Sequence, residues 1–208
     1  AFACALLNAQ PMGFYAPAQI VRDARDHSVE VYPADVNESD WDNTLCAGAD
    51  GKTALRLVFR QIDGLSETWC KQLIDLRRNG YADLDNLAQR TRLPQRALRV
   101  LADADCFRSV GIHRRDALWA ARRLPEADEL PLFAAAREPD LGDEPNAQLP
   151  SMSFGENIAV DYQTARLSLK GHPMECLRDI FRSEGIATCA ELAAQRDGSR
   201  GRVAGVVL

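Results

Sequence analysis

Hydrophobic positions near the start of the chain follow helical spacing. The apolar run at residues 1–8 suits the end of a buried helix, and Pro17 can begin a second helix that reaches about His27. At the other end of the chain, residues 203–208 form an apolar segment that is typical of a buried strand. Apolar segments at both ends, with no initiator Met, lead us to expect a piece of a longer polypeptide.

Two segments in the first third of the chain have strand patterns. Leu55, Leu57 and Phe59 alternate with other residues in segment 53–59, which predicts a strand with one apolar side. The segment 29–32 predicts a second short strand, and we expect the two strands to pair.

Residues 62–74 predict the tight turn and second helix of a helix-hairpin-helix motif. Gly64 can adopt positive φ in the turn, and Ser66 can cap the helix that follows. The first turn of that helix has free N–H groups that can face a phosphate. One apolar face is predicted for packing, consisting of Leu65, Trp69, Leu73 and Leu76. Many ordinary helical hairpins share such a turn, so this segment alone leaves DNA binding and simple packing both open.

Further helices follow the hairpin. Asp83 can cap a helix to about Arg90, and Pro94 suits the first residue of the next. A last helix is predicted at 114–124, where Arg115, Trp119, Arg122 and Arg123 fall on nearby turns; they fit either a phosphate-tracking face or a surface helix with a Trp anchor. Residues 125–150 predict a linker rich in proline and carboxylates. Beyond it the pattern predicts short helices at 155–166, 173–184 and 188–195, and a strand that begins near Arg202.

Charge is distributed unevenly, although the whole chain has a net charge of −5. Residues 56–123, which we call the basic island, contain 14 Lys/Arg and 8 Asp/Glu and so have a net charge of +6. The rest of the chain has 11 against 22, a net charge of −11. A basic island in an acidic chain favours binding of a nucleic-acid backbone, and the alternative is a solvated charged face.

Several other classes of site are disfavoured. The six cysteines are scattered and no His stands at ligand spacing, so we expect reduced, mostly buried thiols and no zinc site. Four carboxylates within one loop (Asp35, Glu38, Asp40 and Asp42) lack the spacing of a metal-ligand motif and suit a turn-rich loop. The sequence predicts neither a signal peptide nor a membrane-spanning helix, so the cytoplasm is the expected compartment.

Several segments, taken together and in order, resemble the bacterial C-family DNA polymerases. They are Phe2-Ala-Cys-Ala-Leu-Leu-Asn-Ala-Gln-Pro-Met-Gly-Phe-Tyr15, Asp35-Val-Asn-Glu-Ser-Asp-Trp-Asp42, Arg60-Gln-Ile-Asp-Gly-Leu65, Asp105-Cys-Phe-Arg-Ser-Val-Gly111, Asp161-Tyr162 and Leu167-Ser-Leu-Lys-Gly-His-Pro173. The resemblance covers nearly the whole chain. The Gln-Pro-Met-Gly-Phe-Tyr segment and the Trp of Ser-Asp-Trp-Asp are similar to the error-prone paralogue of the replicative polymerase III alpha subunit.

The resemblance implies a mainly α fold with four parts. Residues 1–56 would be the C-terminal part of the fingers with a small β-hairpin, and 57–124 the helix-hairpin-helix region. Residues 125–150 would be an acidic, proline-rich linker. Residues 151–208 would be a helical lead-in and the first strand, Arg202 to Leu208, of an oligonucleotide-binding (OB) β-barrel that is truncated here.

The resemblance also implies where the chemistry lies. Family members transfer phosphoryl groups with two metal ions, Mg²⁺ in the full-length enzyme, held on a palm domain N-terminal to this segment. We therefore expect no catalytic residue, no metal and no cofactor in this fragment.

Two positions depart from the family pattern. Family hairpins usually have a second small residue, often Gly, where this chain has Ser66, whose side chain can hold the turn further from a phosphate. The family's Gly before Leu-Ser-Leu is Arg166 here, which leaves the conformation of that turn open.

The linker contains a candidate clamp-docking peptide, Glu129-Leu130-Pro131-Leu132-Phe133. Replicative relatives have a Gln-Leu-x-Leu-Phe peptide there that binds the sliding clamp. Glu129 replaces the Gln and adds a charge that must be desolvated, so weak or no binding is expected. The alternative is that Leu132 and Phe133 pack on the protein itself.

The leading hypothesis is the duplex-DNA-binding part of an error-prone, DNA-directed DNA polymerase that acts in translesion synthesis on primer-template DNA. The candidate DNA-contacting residues are Gly64, Leu65, Ser66, Lys71, Arg92, Arg96, Arg99, Arg108, Arg114 and Arg115. The alternatives are a scaffold segment that binds the clamp or accessory mutagenesis proteins, a segment of the replicative alpha subunit, or a hairpin module from a repair nuclease or ligase.

Overall fold

The computed structural model describes residues 1–124 and 149–205, and the chain is mainly helical with one small sheet. Within these residues the α-helices are α1 (Phe2–Asn8), α2 (Pro17–Asp26), α3 (Glu67–Arg77), α4 (Leu84–Thr91), α5 (Gln95–Asp103), α6 (Arg114–Arg123), α7 (Phe154–Ala165), α8 (Pro173–Ser183) and α9 (Cys189–Ala193). The helices predicted from the sequence are confirmed to within a few residues. The candidate clamp-docking residues Glu129, Leu130, Leu132 and Phe133 lie outside the described residues.

The sheet has three strands, β1 (Val31–Tyr32), β2 (Thr44–Ala47) and β3 (Thr53–Arg56), in the order β1-β3-β2. The predicted pairing of the first and last strands is confirmed, with β1 and β3 parallel. Strand β2, which was not predicted from the sequence, forms an antiparallel hairpin with β3. Its residues are half-buried or exposed, with Leu45 45% exposed, and Leu45, Cys46 and Ala47 follow one another without polar alternation, so the segment lacks the pattern of a half-buried strand.

The predicted strand at 53–59 ends early, at Arg56. Three consecutive residues, Leu57, Val58 and Phe59, are all buried, which an alternating strand on one face of a sheet does not allow. They are buried because the chain crosses here between two cores, with Leu57 in the smaller and Phe59 in the larger. Phe59–Gln61 then form a 3₁₀-helix that leads into the hairpin turn.

The larger core lies inside the bundle α3–α6. Its most buried large side chains are Phe59, Leu73, Leu84, Leu87, Leu98, Leu101 and Phe107. Val36, from the loop after β1, belongs to this core, and so the acidic loop is packed against the bundle. On α3 the buried face contains Cys70 and Leu73, with Trp69 and Ile74 partly buried, whereas the predicted member Leu76 lies at its edge.

The smaller core joins the start of the chain to the segment after α7. Leu7, Ile20 and Val21 from α1 and α2 pack there with Leu55 and with Leu167. Leu167 lies more than a hundred residues away in the sequence, and its burial fixes the C-terminal segment to the N-terminal helices. Helix α7 itself begins with a capping box in which Ser153 and Glu156 satisfy each other's N–H groups.

The C-terminal part is more open. Helices α8 and α9 contain no buried residue. The strand predicted from Arg202 is not formed in the described residues, where Val203 makes only a single parallel bridge to Ala187. Residues 206–208 lie outside the described range, and the start of an OB domain is not confirmed. No helix in the two described stretches is long and apolar enough to cross a bilayer.

Candidate nucleic-acid interface

The first hairpin turn has the geometry that the sequence predicts. Gly64 adopts φ +85°, and the Ser66 hydroxyl accepts a hydrogen bond from the Trp69 N–H at 3.3 Å. The Asp63 N–H donates to the Thr164 carbonyl at 2.8 Å, so the turn is held against the end of α7. The first N–H groups of α3 have no acceptor within the helix, and they can face an anion.

A second turn repeats the first. A 3₁₀-helix, Arg108–Val110, leads to Gly111 at φ +76°, and then Ile112 and His113 precede α6. Both glycines stand three residues before the first residue of their helix, and each is followed by an aliphatic residue. This second turn was not predicted from the sequence as part of the site, although the repeated order of Gly and an aliphatic residue was the signal for it.

The acidic loop neutralises part of the basic island. Its carboxylates pair with arginines of the bundle and sheet: Asp42 with Arg60 at 3.1 Å, Asp40 with Arg77 at 3.4 Å and Glu38 with Arg56 at 3.9 Å. Asp35 accepts instead from the N–H groups of Asn37 and Ser109. The carboxylates therefore point to separate partners, and across residues 1–124 and 149–205 no three His, Cys, Asp or Glu side chains gather as a metal site would need.

Arginines at the end of α4, on α5 and at the end of α6 form a strip that remains accessible. Arg92, Arg96 and Arg99 are exposed, and the side chains of Arg92 and Arg96 make no hydrogen bond or ion pair with any described residue. The Gln95 amide donates to the carbonyls of Arg122 and Leu124 at 3.0 and 2.9 Å, which brings the end of α6 to the start of α5. We call Arg92, Arg96, Arg99 and Arg122 the basic strip.

Asp103 is the acidic neighbour of the basic strip. Burial raises the pKa of its carboxyl group, while Arg99, Arg114 and Arg122 act in the opposite direction. The Gly64 turn adjoins the same helix, since a Cβ added there would stand 3.8 Å from Val100 of α5. The first hairpin turn therefore lies against α5, the helix to which Arg96 and Arg99 of the strip belong.

Three other predicted contacts are accessible but already have partners. Lys71 pairs with Glu67 at 2.8 Å, and that hydrogen bond raises its pKa. Arg108 pairs with Asp105 at 2.7 Å. Arg115 donates to the Pro150 carbonyl and lies 3.8 Å from Glu156. A phosphate would have to compete for each of these side chains.

Arg114 corrects the sequence-based assignment. Its side chain is 2% exposed, and its guanidinium donates to the Asp161 carboxylate and to Asn157. The helical spacing suggested a surface arginine, but α7 covers this face of α6. Arg114 cannot reach DNA from this position.

Arg114 belongs to a buried ion network that joins residues from three of the family-like segments, those that begin at Asp105, Asp161 and Leu167. Asp161 accepts from Lys170 at 2.8 Å and from the Ser168 hydroxyl at 2.7 Å, and Lys170 also pairs with Asp105 at 3.0 Å. Burial raises the pKa of Asp161, but the hydrogen bonds from Lys170, Ser168 and Arg114 together lower it below its ordinary value. The network fixes α7 and the segment after it to the bundle.

Arg166 occupies the turn where the family resemblance predicts Gly. It adopts the left-handed conformation with φ +58°, which is the conformation that favours Gly at a helix C-terminus. Its guanidinium Nε donates to Asp63 at 3.0 Å, next to Gly64. The turn therefore keeps its geometry, and the Arg side chain neutralises a carboxylate beside the hairpin.

The cysteines are all free thiols, and burial differs among them. Cys70 and Cys106 are buried, and burial raises the pKa of Cys70 to about 12. Cys176 and Cys189 are exposed, contrary to the expectation of mostly buried thiols. A raised pKa keeps a thiol protonated and unreactive, so the two buried cysteines act as core residues.

Comparison with known proteins agrees with this geometry. Residues 28–117 match the helix-hairpin-helix motif family, a range that includes both hairpin turns and the sheet. The chain is 54% identical over 206 residues to the error-prone DNA polymerase of Brucella abortus biovar 1 (strain 9-941), which covers 99% of this chain. It is 50% identical over 228 residues to the error-prone DNA polymerase of Rhodopseudomonas palustris (strain HaA2), with all of this chain covered.

The matched region is a limited part of those relatives. The chain spans 19% of the Brucella protein and 20% of the Rhodopseudomonas protein. At this identity over nearly its whole length, the chain is homologous to a segment of error-prone DNA polymerases, as the sequence resemblance predicts.

Proposed function

We propose that this chain is the part of an error-prone, DNA-directed DNA polymerase that positions primer-template duplex, in an enzyme of translesion synthesis. The observation that carries the proposal is the match to error-prone DNA polymerases across nearly the whole chain. The basic strip beside the Gly64 turn supports it, since such a surface suits phosphates and reads no sequence. A polymerase needs that lack of sequence preference because it acts on any template.

We assign the main duplex contacts to Arg92, Arg96 and Arg99. Relative to the residues predicted from the sequence, Arg122 is added to the set of DNA contacts and Arg114 is removed from it. Backbone N–H groups around Gly64, Leu65 and Ser66 would receive one phosphate, and Lys71, Arg108 and Arg115 would contribute after giving up their present partners. The arginines with no such partner need no rearrangement before binding. They are therefore expected to contribute most.

The proposed division of labour follows the family. Residues 1–56 would belong to the fingers, 57–124 to the helix-hairpin-helix region, 125–150 to a linker and 151–208 to the approach to an OB domain. Phosphoryl transfer with Mg²⁺ would take place in parts of the polymerase outside this chain. An enzyme that copies the bacterial chromosome would act in the cytoplasm, where that DNA lies.

Fluorescence anisotropy of the 208-residue chain with a labelled primer-template duplex, across a salt series, tests the proposal. We expect log K to fall linearly with log salt, and Arg92→Ala/Arg96→Ala/Arg99→Ala to reduce the slope by about three. The matched control is Arg182→Ala/Arg196→Ala/Arg200→Ala, which removes the same charge from exposed positions outside the bundle.

Two outcomes oppose the proposal. Equal loss of binding in the two triple variants would mean that net charge alone attracts DNA. No binding at low salt by a chain with native circular dichroism would favour the scaffold alternative, in which the segment binds a clamp or accessory protein.

A further inference from the structure

A loop between α1 and α2 displays an aromatic ring to solvent. Phe14 is 89% exposed and Tyr15 is 62% exposed. The loop is internally braced, since the Gln10 side chain donates to the Tyr15 carbonyl at 2.9 Å and accepts from the Met12 N–H at 3.0 Å. Because the ring is held out of the core on a braced loop, its face is accessible for stacking against a ligand.

Phe14 stands at the edge of a cleft of about 820 Å³ between α2 and residues 162–175, which we call the α2 cleft. Val21 and Leu167 of the smaller core lie at its apolar base. A cleft of this volume lies within the range of roughly 300–1,000 Å³ typical of ligand sites.

Two arginines on the α2 wall of the cleft face the space that Phe14 borders. The charged side chains that line the cleft are Arg22, Arg25, Arg166 and Lys170, with the carboxylates of Asp26 and Glu175. Arg166 is paired with Asp63 and Lys170 with Asp161, so the cations left for a ligand are Arg22 and Arg25. Arg25 also donates to the Leu169 carbonyl at 3.2 Å. Arg22 is exposed and its side chain has no hydrogen-bond or ion-pair partner among the described residues, so it is available to an anion.

We propose that the α2 cleft binds single-stranded DNA, with Phe14 stacked on an unpaired base and Arg22 and Arg25 in contact with phosphates. Single-strand sites combine a basic groove with exposed aromatic side chains because every base has a face that can stack. A duplex keeps its bases stacked inside and offers only phosphates to such a ring. The proposal goes beyond duplex positioning, and it rests on different residues from the basic strip.

The test uses the 208-residue chain and two labelled probes, an oligothymidine of about 16 nucleotides and a duplex of the same length. Phe14→Ala is expected to weaken oligothymidine binding on the order of tenfold, because base stacking is lost. Arg22→Ala is expected to reduce the single-strand salt slope by about 0.7. Duplex binding should be unchanged in both variants.

Matched controls separate the cleft from general surface effects. Phe2→Ala removes an aromatic side chain that is 78% exposed and lies outside the cleft, and Arg200→Ala removes an exposed arginine elsewhere. Neither should change oligothymidine binding. Because Phe14 and Arg22 are exposed, their variants should keep the native circular dichroism spectrum and unfolding midpoint.

A second readout reports stacking directly. Fluorescence of 2-aminopurine within the single strand should be quenched by the native chain and remain bright with Phe14→Ala. Equal oligothymidine affinity for native and Phe14→Ala chains would overturn the proposal. Failure of the native chain to bind oligothymidine at low salt would also overturn it. If oligothymidine binding fails while the duplex still binds through the basic strip, the cleft is excluded and the duplex proposal stands.

Discussion

Burial decides what each arginine of the basic island can do. Arg96 and Arg114 both follow helical spacing on basic, amphipathic helices, and the sequence does not distinguish them. In the structure Arg96 is exposed, whereas Arg114 is covered by α7 and bound to Asp161. The difference depends on a segment more than thirty residues further along the chain, which is why local pattern cannot supply it.

Arg114→Ala is expected to destabilise the fold without a specific effect on DNA. Removing the guanidinium leaves the buried carboxylates of Asp161 and Asp105 with less compensation, at a cost of about 3–5 kcal/mol. Arg115→Ala, on the next residue but partly exposed, should change the free energy of unfolding by about 1 kcal/mol or less. Urea unfolding measures both. Similar small effects of the two substitutions would contradict the role assigned to the network.

Asp161 should make stability depend on acid pH. Its folded pKa lies below the ordinary value of 3.8, so its stabilising contribution is present above that value and is lost as pH falls through the folded pKa. Asp161→Asn removes the contribution. We expect the difference in unfolding free energy between native and Asp161→Asn chains to be largest near neutral pH and to shrink below about pH 4.

The measurement for Asp161 is a set of urea midpoints from neutral to acid pH. The groups facing the carboxylate are Arg114, Lys170, Ser168 and Asp105. The carboxylates of Asp50, Glu156 and Glu191 also have lowered pKa values, but they are present in both proteins and cancel in the difference. A difference that stays constant with pH would show that the charge of Asp161 is not what stabilises the fold.

Helix starts are well determined by sequence because a cap is a local interaction. Ser66 and Asp83 both accept from the N–H three residues ahead, as their residue types indicate. Strands are less local: β2 forms because β3 offers it hydrogen bonds, and β3 ends where the chain passes between two cores. The sequence therefore predicted the helices closely, missed β2 and placed the end of β3 too late.

Substitution of Ser66 tests the cap of α3. Ser66→Ala should lower the free energy of unfolding by about 1 kcal/mol, because the Trp69 N–H loses its acceptor. Ser66→Gly should lower it by only a few tenths of a kcal/mol. Chemical denaturation compares the two variants. If Ser66→Gly is the more damaging, the turn needs the Ser side chain for something other than capping.

Charge on the whole molecule is redistributed by folding. The sequence correctly indicates a basic island, but it cannot show that the acidic loop pairs with Arg56, Arg60 and Arg77. Among the arginines that stay exposed, Arg92, Arg96, Arg99 and Arg122 lie at the end of α4, on α5 and at the end of α6. The candidate duplex surface is therefore smaller than the basic island, and Arg122 joins it only because Gln95 holds the end of α6 against α5.

Stability is also expected to differ along the molecule. Helix α5 contains Leu98 and Leu101 in the larger core, and α7 is held by Ile158 and the buried ion network, whereas α8 and α9 contain no buried residue. Hydrogen exchange followed by mass spectrometry should show the slowest exchange in α5 and exchange in α8 and α9 orders of magnitude faster. Asp161→Asn should speed exchange in α7 and leave α8 unchanged. Slow exchange in α8 that depends on protein concentration would mean that a second copy of the chain covers its apolar side chains Leu177 and Ile180. Slow exchange in α8 at every concentration would contradict the expected difference in stability between α5 and α8.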